Sequence, residues 1–156
     1  MTTEYLLTSS LDPIAPGERF TGPLPRHVTV QQYFQLDGSE RAFRHALTNV
    51  ATRFAPIEIT GGKEALYGPN HDVPVRLLQR LGGLARLHDD TLAVVQRFGS
   101  VHNPRWAGNG YSPHVTYVDG RALEEGETAT LRTLELIAKQ AGEKTVEFVL
   151  TLSKKV

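Results

Sequence analysis

Apolar and polar positions alternate with period two in several short stretches of this chain, and recur at helical spacing in two longer ones. A strand turns residues i and i+2 to one face, whereas a helix builds its apolar stripe from every third or fourth residue. Glu4 to Ser9 reads as a first strand. Residues 12–25 carry four prolines and two glycines with little periodicity, which predicts a loop in which Phe20 is an anchoring aromatic beside Arg19. A second strand is expected from Arg26 to Leu36, with His27, Thr29, Gln31 and Tyr33 along one face. Asp37 or Ser39 then caps a helix with Glu40 in its first turn and a stripe of Phe43, Leu47, Val50 and Phe54; Pro56 ends it. His45, beside that stripe, reads as a partly exposed helix residue. Ile57 to Thr60 alternates as a short strand before a Gly61-Gly62 turn.

Residues 67–72 read as a loop and 73–78 as a strand, with Pro74 confined to an edge or to the strand's start. Leu84, Leu87, His88, Thr91, Val95 and Phe98 mark a second helix that follows Gly82-Gly83 and stops at Gly99. His88 lies on its apolar stripe, so a buried, hydrogen-bonded histidine is expected. Ser100 to Pro113 is a glycine-rich loop that delivers the chain into a strand from Pro113 to Asp119, and a polar stretch runs on to Thr128. In the tail, a helix through Leu131, Leu134, Ala138 and Ala141 competes with a hairpin of 133–139 and 145–152. The run Val146-Glu147-Phe148-Val149-Leu150-Thr151-Leu152 favours the hairpin.

Within this pattern one feature repeats. His27-Val28-Thr29-Val30 and His114-Val115-Thr116-Tyr117 each set an imidazole beside a hydroxyl on one strand face, with two apolar anchors on the other. One copy carries little information; two suggest a site assembled from similar halves. Two imidazoles of ordinary pKa near 6.5 can share neutral and protonated states near neutrality. Phosphodiester cleavage requires such a pair, one imidazole taking a proton from the attacking oxygen and the other protonating the leaving oxygen. Threonine hydroxyls can donate to the non-bridging oxygens, where charge builds. Of the loop's residues, Arg105, Trp106 and Tyr111 suit phosphate pairing and base stacking, as does Tyr33 on the first motif strand. Trp106 as a plug at the core's edge is the competing reading.

Composition narrows the choices. At 156 residues the chain suits a single domain over 1–156. It has no cysteine, which excludes disulfides, thiolate metal sites and a cysteine nucleophile and fits a cytoplasmic location. No signal peptide or membrane span is visible. Seventeen basic and seventeen acidic residues leave no net charge, so long duplex nucleic acid is not the expected partner. A small nucleotide or short RNA-like ligand, held by a monomer, fits better. Neither motif carries a carboxylate or a second histidine at metal-ligand spacing, although His102 or Asp119 would complete a set of three. No Gly-x-Ser-x-Gly elbow supports a serine hydrolase.

The paired stretches His27-Val28-Thr29-Val30 and Pro113-His114-Val115-Thr116-Tyr117 resemble the signature of the two-histidine (2H) phosphoesterases, the group of bacterial 2′-5′ RNA ligase-like proteins and cyclic phosphodiesterases. The order of elements from Tyr5 to Leu152 is compatible with that family. Val30 and Tyr117 stand where the family often has leucine, and the chain is shorter than many members. The resemblance implies an α+β, bilobal fold, two pseudo-symmetric antiparallel sheets forming a central cleft with helices outside. It implies cleavage of 2′,3′-cyclic phosphates, 2′-5′ linkages or small cyclic oligonucleotides without metal or cofactor, with His27, Thr29, His114 and Thr116 as the catalytic set. The alternative is a module that holds an RNA end or nucleotide in the same cleft without turnover.

Overall fold

The computed structural model describes residues 2–79 and 81–155. Its elements run β1 (Glu4–Ser10), β2 (Arg19–Phe20), β3 (His27–Leu36), α1 (Glu40–Ala51), β4 (Ile57–Tyr67), β5 (Val73–Leu78), α2 (Gly82–Phe98), β6 (Gly99–Val101), β7 (His114–Thr116), β8 (Thr128–Leu131), β9 (Thr133–Gln140) and β10 (Glu143–Thr151). All strand pairings are antiparallel, in the order β2-β10-β9-β1-β3-β7-β5-β4-β8, with β6 added to the far end of β3. The fold is α+β, an antiparallel sheet with helices on its outer face. Its two arms join between the motif strands β3 and β7, through one register pair, Val28 with Val115.

Burial explains the layering. Val28, Val30 and Phe34 of β3 and Val115 of β7 are sealed into one core with Phe43 and Leu47 of α1 and Leu84, Leu87 and Val95 of α2. The helices therefore cover the face opposite the motif side chains. Ser39 starts α1, its side chain accepting the Ala42 N–H at 3.2 Å. On the other face a small cluster of Leu6, Ile137 and Val146 is capped by Leu24, Ile14 and Phe20 from the proline-rich segment. That segment is not all loop. Arg19 and Phe20 pair with Thr145 and Lys144 as a short edge strand.

Four further expectations change. Gly61-Gly62 is not a turn; β4 continues through it with a register shift between Gly61 and Glu64, and a Cβ on Gly61 would collide with the Glu124 carbonyl oxygen. These glycines mark a close approach of backbone. The second motif strand is shorter than expected, because Asp119 and Gly120 take positive φ of 52° and 75° and close a two-residue hairpin between Val118 and Arg121. The segment Thr128–Leu131 contributes β8, paired to β4, whereas the tail is the favoured hairpin, β9–β10. Finally, Gln31 leaves the motif face. Thr8 pairs with Thr29 but Leu7 with Gln31, so β3 carries an extra residue at Val30. This β-bulge turns both Val30 and Gln31 toward the helices and brings Gln32 onto the motif face.

Candidate active site

The antiparallel pairing of Val28 with Val115 sets His27 across from Thr116 and Thr29 across from His114. All four side chains are half-buried on one face, while Val28 and Val115 are fully buried on the other. The two imidazoles occupy a diagonal of this square. Such diagonals span about 7–8 Å, room for a phosphate with a hydrogen bond at each end.

Both rings are oriented in the same way. His27 Nδ1 lies 2.8 Å from the Pro25 carbonyl, and His114 Nδ1 lies 2.9 Å from that of Ser112. A carbonyl only accepts, so each Nδ1 carries the proton and each Nε2 is left bare for chemistry. The rest of the environment differs. Desolvation pulls the His27 pKa below its ordinary value against the Pro25 hydrogen bond, and positive charge on His114 and Lys144 pushes it the same way. His114 is lowered by desolvation alone, opposed by its bond to Ser112. Tyr67 meets its ring edge-on at 4.7 Å, and the Tyr67 hydroxyl reaches Ser112 Oγ at 2.7 Å.

A cavity of about 750 Å³ opens at the Thr29–His114 end of the square. The β4–β5 connection supplies Tyr67 and His71 to its lining, the 103–113 segment supplies Trp106, Tyr111 and Ser112, and the bulge supplies Gln32. Trp106 is 48% exposed, so it is a cavity wall and no core plug. Tyr111 hands its hydroxyl to the Thr29 carbonyl at 2.8 Å. Two other residues singled out from the sequence lie elsewhere. Tyr33 packs on the satellite cluster under the Lys139 ammonium, and Arg105 is exposed on a short 3-10 turn with its backbone N–H on Asn103. Neither Tyr33 nor Arg105 lines the cavity. A larger hollow of about 1120 Å³ lies at the helix side, lined by Arg53, Arg86, Asp89 and Lys154 among others, and holds none of the motif residues.

Partly and fully buried polar groups brace the strands around both motifs. Arg26 forks onto Asp12 at 2.9 and 3.0 Å and donates to the Ala122 carbonyl, fixing the entry to β3. Arg76 of β5 binds the Leu123 carbonyl at 2.8 Å and the Tyr117 hydroxyl at 3.0 Å, bracing the far side of β7. Glu135, fully buried, collects the hydroxyls of Thr8, Ser10 and Thr133, and burial raises its pKa despite them. Among the described residues no three His, Cys, Asp or Glu side chains gather as metal ligands. Among them, too, no helix is long and apolar enough to cross a membrane.

No family model matches the chain, and no curated protein matches it in sequence. Solved structures do match it in three dimensions. The protein TT0787 of Thermus thermophilus superposes with a TM-score of 0.60 at 17% identity, covering 98% of this chain and 100% of its own. E. coli LigT complexed with 3′-AMP gives 0.60 at 14% identity, covering 99% and 100%. A further protein described as a phosphoesterase gives 0.57 at 16%, covering 97% and 99%. At these identities the likeness establishes a shared fold over essentially the whole chain.

Proposed function

We propose that this chain is a metal-independent phosphodiesterase of the two-histidine type. It acts on a small RNA-like phosphodiester: a 2′,3′-cyclic phosphate, a 2′-5′ linkage or a small cyclic oligonucleotide. One observation carries the reading. Each motif imidazole spends its Nδ1–H on the carbonyl two residues upstream, which leaves two Nε2 atoms on one face, each with a threonine across from it. The likeness in fold to E. coli LigT, whose structure holds 3′-AMP, adds support. On this reading the arms β2-β10-β9-β1-β3 and β7-β5-β4-β8 are the two pseudo-symmetric lobes of the family's cleft.

The cavity lies at one end of the square only, which gives the reaction a direction. With the nucleoside in the cavity beside His114, the departing ribose oxygen faces that residue. For a 2′,3′-cyclic phosphate, His27 Nε2 takes a proton from water as the water oxygen bonds to phosphorus. The bond from phosphorus to the ribose oxygen breaks on the opposite side, and His114, entering the reaction as the imidazolium with protons on both nitrogens, gives its Nε2 proton to that oxygen. Desolvation and the neighbouring charge favour neutral His27, the state a base needs. Thr29 and Thr116 donate to the non-bridging oxygens.

Turnover of a 2′,3′-cyclic nucleotide panel in the presence of chelator is the direct test. Product formation is expected to be insensitive to chelation, and kcat/KM to trace a bell with two macroscopic pKa values. Both imidazoles are lowered by burial, so the base must lose its proton, and the acid keep its own, on the acid side of the ordinary value near 6.5. The rate is therefore expected to fall as pH rises beyond that range. A rate that climbs monotonically with pH and vanishes with chelator would instead mark a metal-bound hydroxide.

Trp106→Ala separates recognition from chemistry. Losing the stacking surface is expected to weaken binding by about 1–3 kcal/mol, seen as a raised KM with kcat retained. A variant with unchanged KM would remove Trp106 from the nucleoside site.

A further inference from the structure

Outside the four motif side chains, His88 is a buried titratable group with a partner at each ring nitrogen. It is 2% exposed, on the inner face of α2. Its Nδ1 lies 2.8 Å from the Val30 carbonyl, which can only accept. Its Nε2 lies 2.9 Å from the Gly108 backbone N–H, which can only donate. These two partners admit one state, a neutral ring with its proton on Nδ1. Gln31, turned inward by the bulge, gives its amide hydrogens to the His88 carbonyl at 2.8 Å and Thr91 Oγ1 at 2.9 Å. Its 3.1 Å approach to Nδ1 is then packing without a shared proton. Tyr111 stacks flat on the imidazole, centroids 3.9 Å apart and planes within 3°, and its hydroxyl reaches the Thr29 carbonyl.

The segment 103–113 is thus tied to the bulged part of β3 at two neighbouring carbonyls, once through His88 and once through Tyr111. Trp106 is the last residue of the 3-10 turn Pro104–Trp106 and comes just before the ties at Gly108 and Tyr111. We propose that neutral His88 is the pin that holds the Trp106 segment against the motif strand, and that protonating His88 releases this segment. A proton on Nε2 would set N–H against the Gly108 N–H and place a charge in a buried site. The groups around the ring offer little to hold it. Asp89 on the same helix is exposed, Tyr111 presents its ring face, and β3 presents a carbonyl and an amide. Desolvation outweighs the Val30 and Asp89 contributions and lowers the His88 pKa. The pin is therefore whole above the ordinary value near 6.5 and is lost as pH falls through the lowered one. His88 is a positioning residue, since it touches neither motif histidine nor the cavity.

The effect on substrate rests on the functional reading above, but the pin does not, and Trp106 reports on it directly. It is the only tryptophan in the chain. Acrylamide quenching of its fluorescence is expected to increase as pH is lowered below about 6.5, with far-ultraviolet circular dichroism unchanged. His88→Gln keeps an acceptor for Gly108 without a titrating ring, so its quenching should be flat with pH. The acid transition should persist in His71→Gln and His114→Gln, whose rings line the same cavity. Should His88→Gln fail to fold, the imidazole nitrogen resonances of the wild-type ring decide; they must show the Nδ1–H form at neutral pH. In a competent enzyme, His88→Gln is expected to change the pH profile of KM while that of kcat stays. Loss of the pin raises KM by about 3- to 10-fold, the equivalent of one hydrogen bond. No acid transition in the wild type, a transition that survives in His88→Gln, or an Nε2–H ring at neutral pH would each overturn the proposal. An acid transition in a protein without turnover would instead leave the pin standing and remove the enzyme.

Discussion

Alanine at His27 or at His114 is expected to cut turnover by about 10²-fold or more, because each change removes one proton-transfer partner. Single-turnover kinetics on a 2′,3′-cyclic nucleotide would show whether chemistry has slowed. Both rings sit half-buried on the open face and contribute little packing, so stability is expected to change by about 1 kcal/mol or less. The polarity argued from the cavity makes the two variants differ. With a substrate whose leaving group departs without protonation, such as a nitrophenyl phosphodiester, His114→Ala should recover much of its lost rate and His27→Ala should not. Equal recovery in both would reverse or abolish the assigned roles. Full activity in both would end the enzymatic reading.

Phe34→Ala is expected to be the most damaging change on the motif strand's other face. Phe34 is fully buried, 6.0 Å from the Tyr5 ring and 5.6 Å from that of Phe43, centroid to centroid. Removing such a side chain costs about 3–5 kcal/mol, a large part of the roughly 5–15 kcal/mol that holds a domain together. Denaturant unfolding would measure the loss. The molecules that remain folded should still turn substrate over with a near-normal kcat, because the ring points away from His27 and Thr29. The pair of experiments therefore assigns chemistry to one face of β3 and stability to the other.

The alternation that separates these faces was legible in the sequence wherever the backbone keeps a strict period of two. His27, Thr29, His114 and Thr116 fall where that period sets them, and the helix stripes of Phe43 and Leu47 or Leu84 and Leu87 lie in the core. The bulge at Val30 was not legible. An extra residue leaves no mark in composition, yet it shifts the parity of the next residues until a second register shift restores it before Phe34, which is why Gln32 lines the cavity and Gln31 does not. Tyr67, His71 and Ser112 escaped notice for another reason. They reach the cavity through the pairing of β5 with β7, and such long-range contacts have no local pattern. Tyr33 and Arg105 had suitable chemistry near the motifs, but Tyr33 is taken up by packing on the satellite cluster and Arg105 is exposed on the 3-10 turn.

The narrow seam between β3 and β7 also bears on how the molecule comes into being. A contact between residues 28 and 115 closes a long loop, and its entropic cost is recovered only once the intervening chain has found its own partners. Contacts of such high sequence separation are slow to form. The pairing of β1 with β9, which completes the arm of the first motif, spans still more of the chain. The square of motif side chains is whole only once both long-range pairings have formed, so during synthesis and refolding any turnover should appear later than the bulk of the secondary structure.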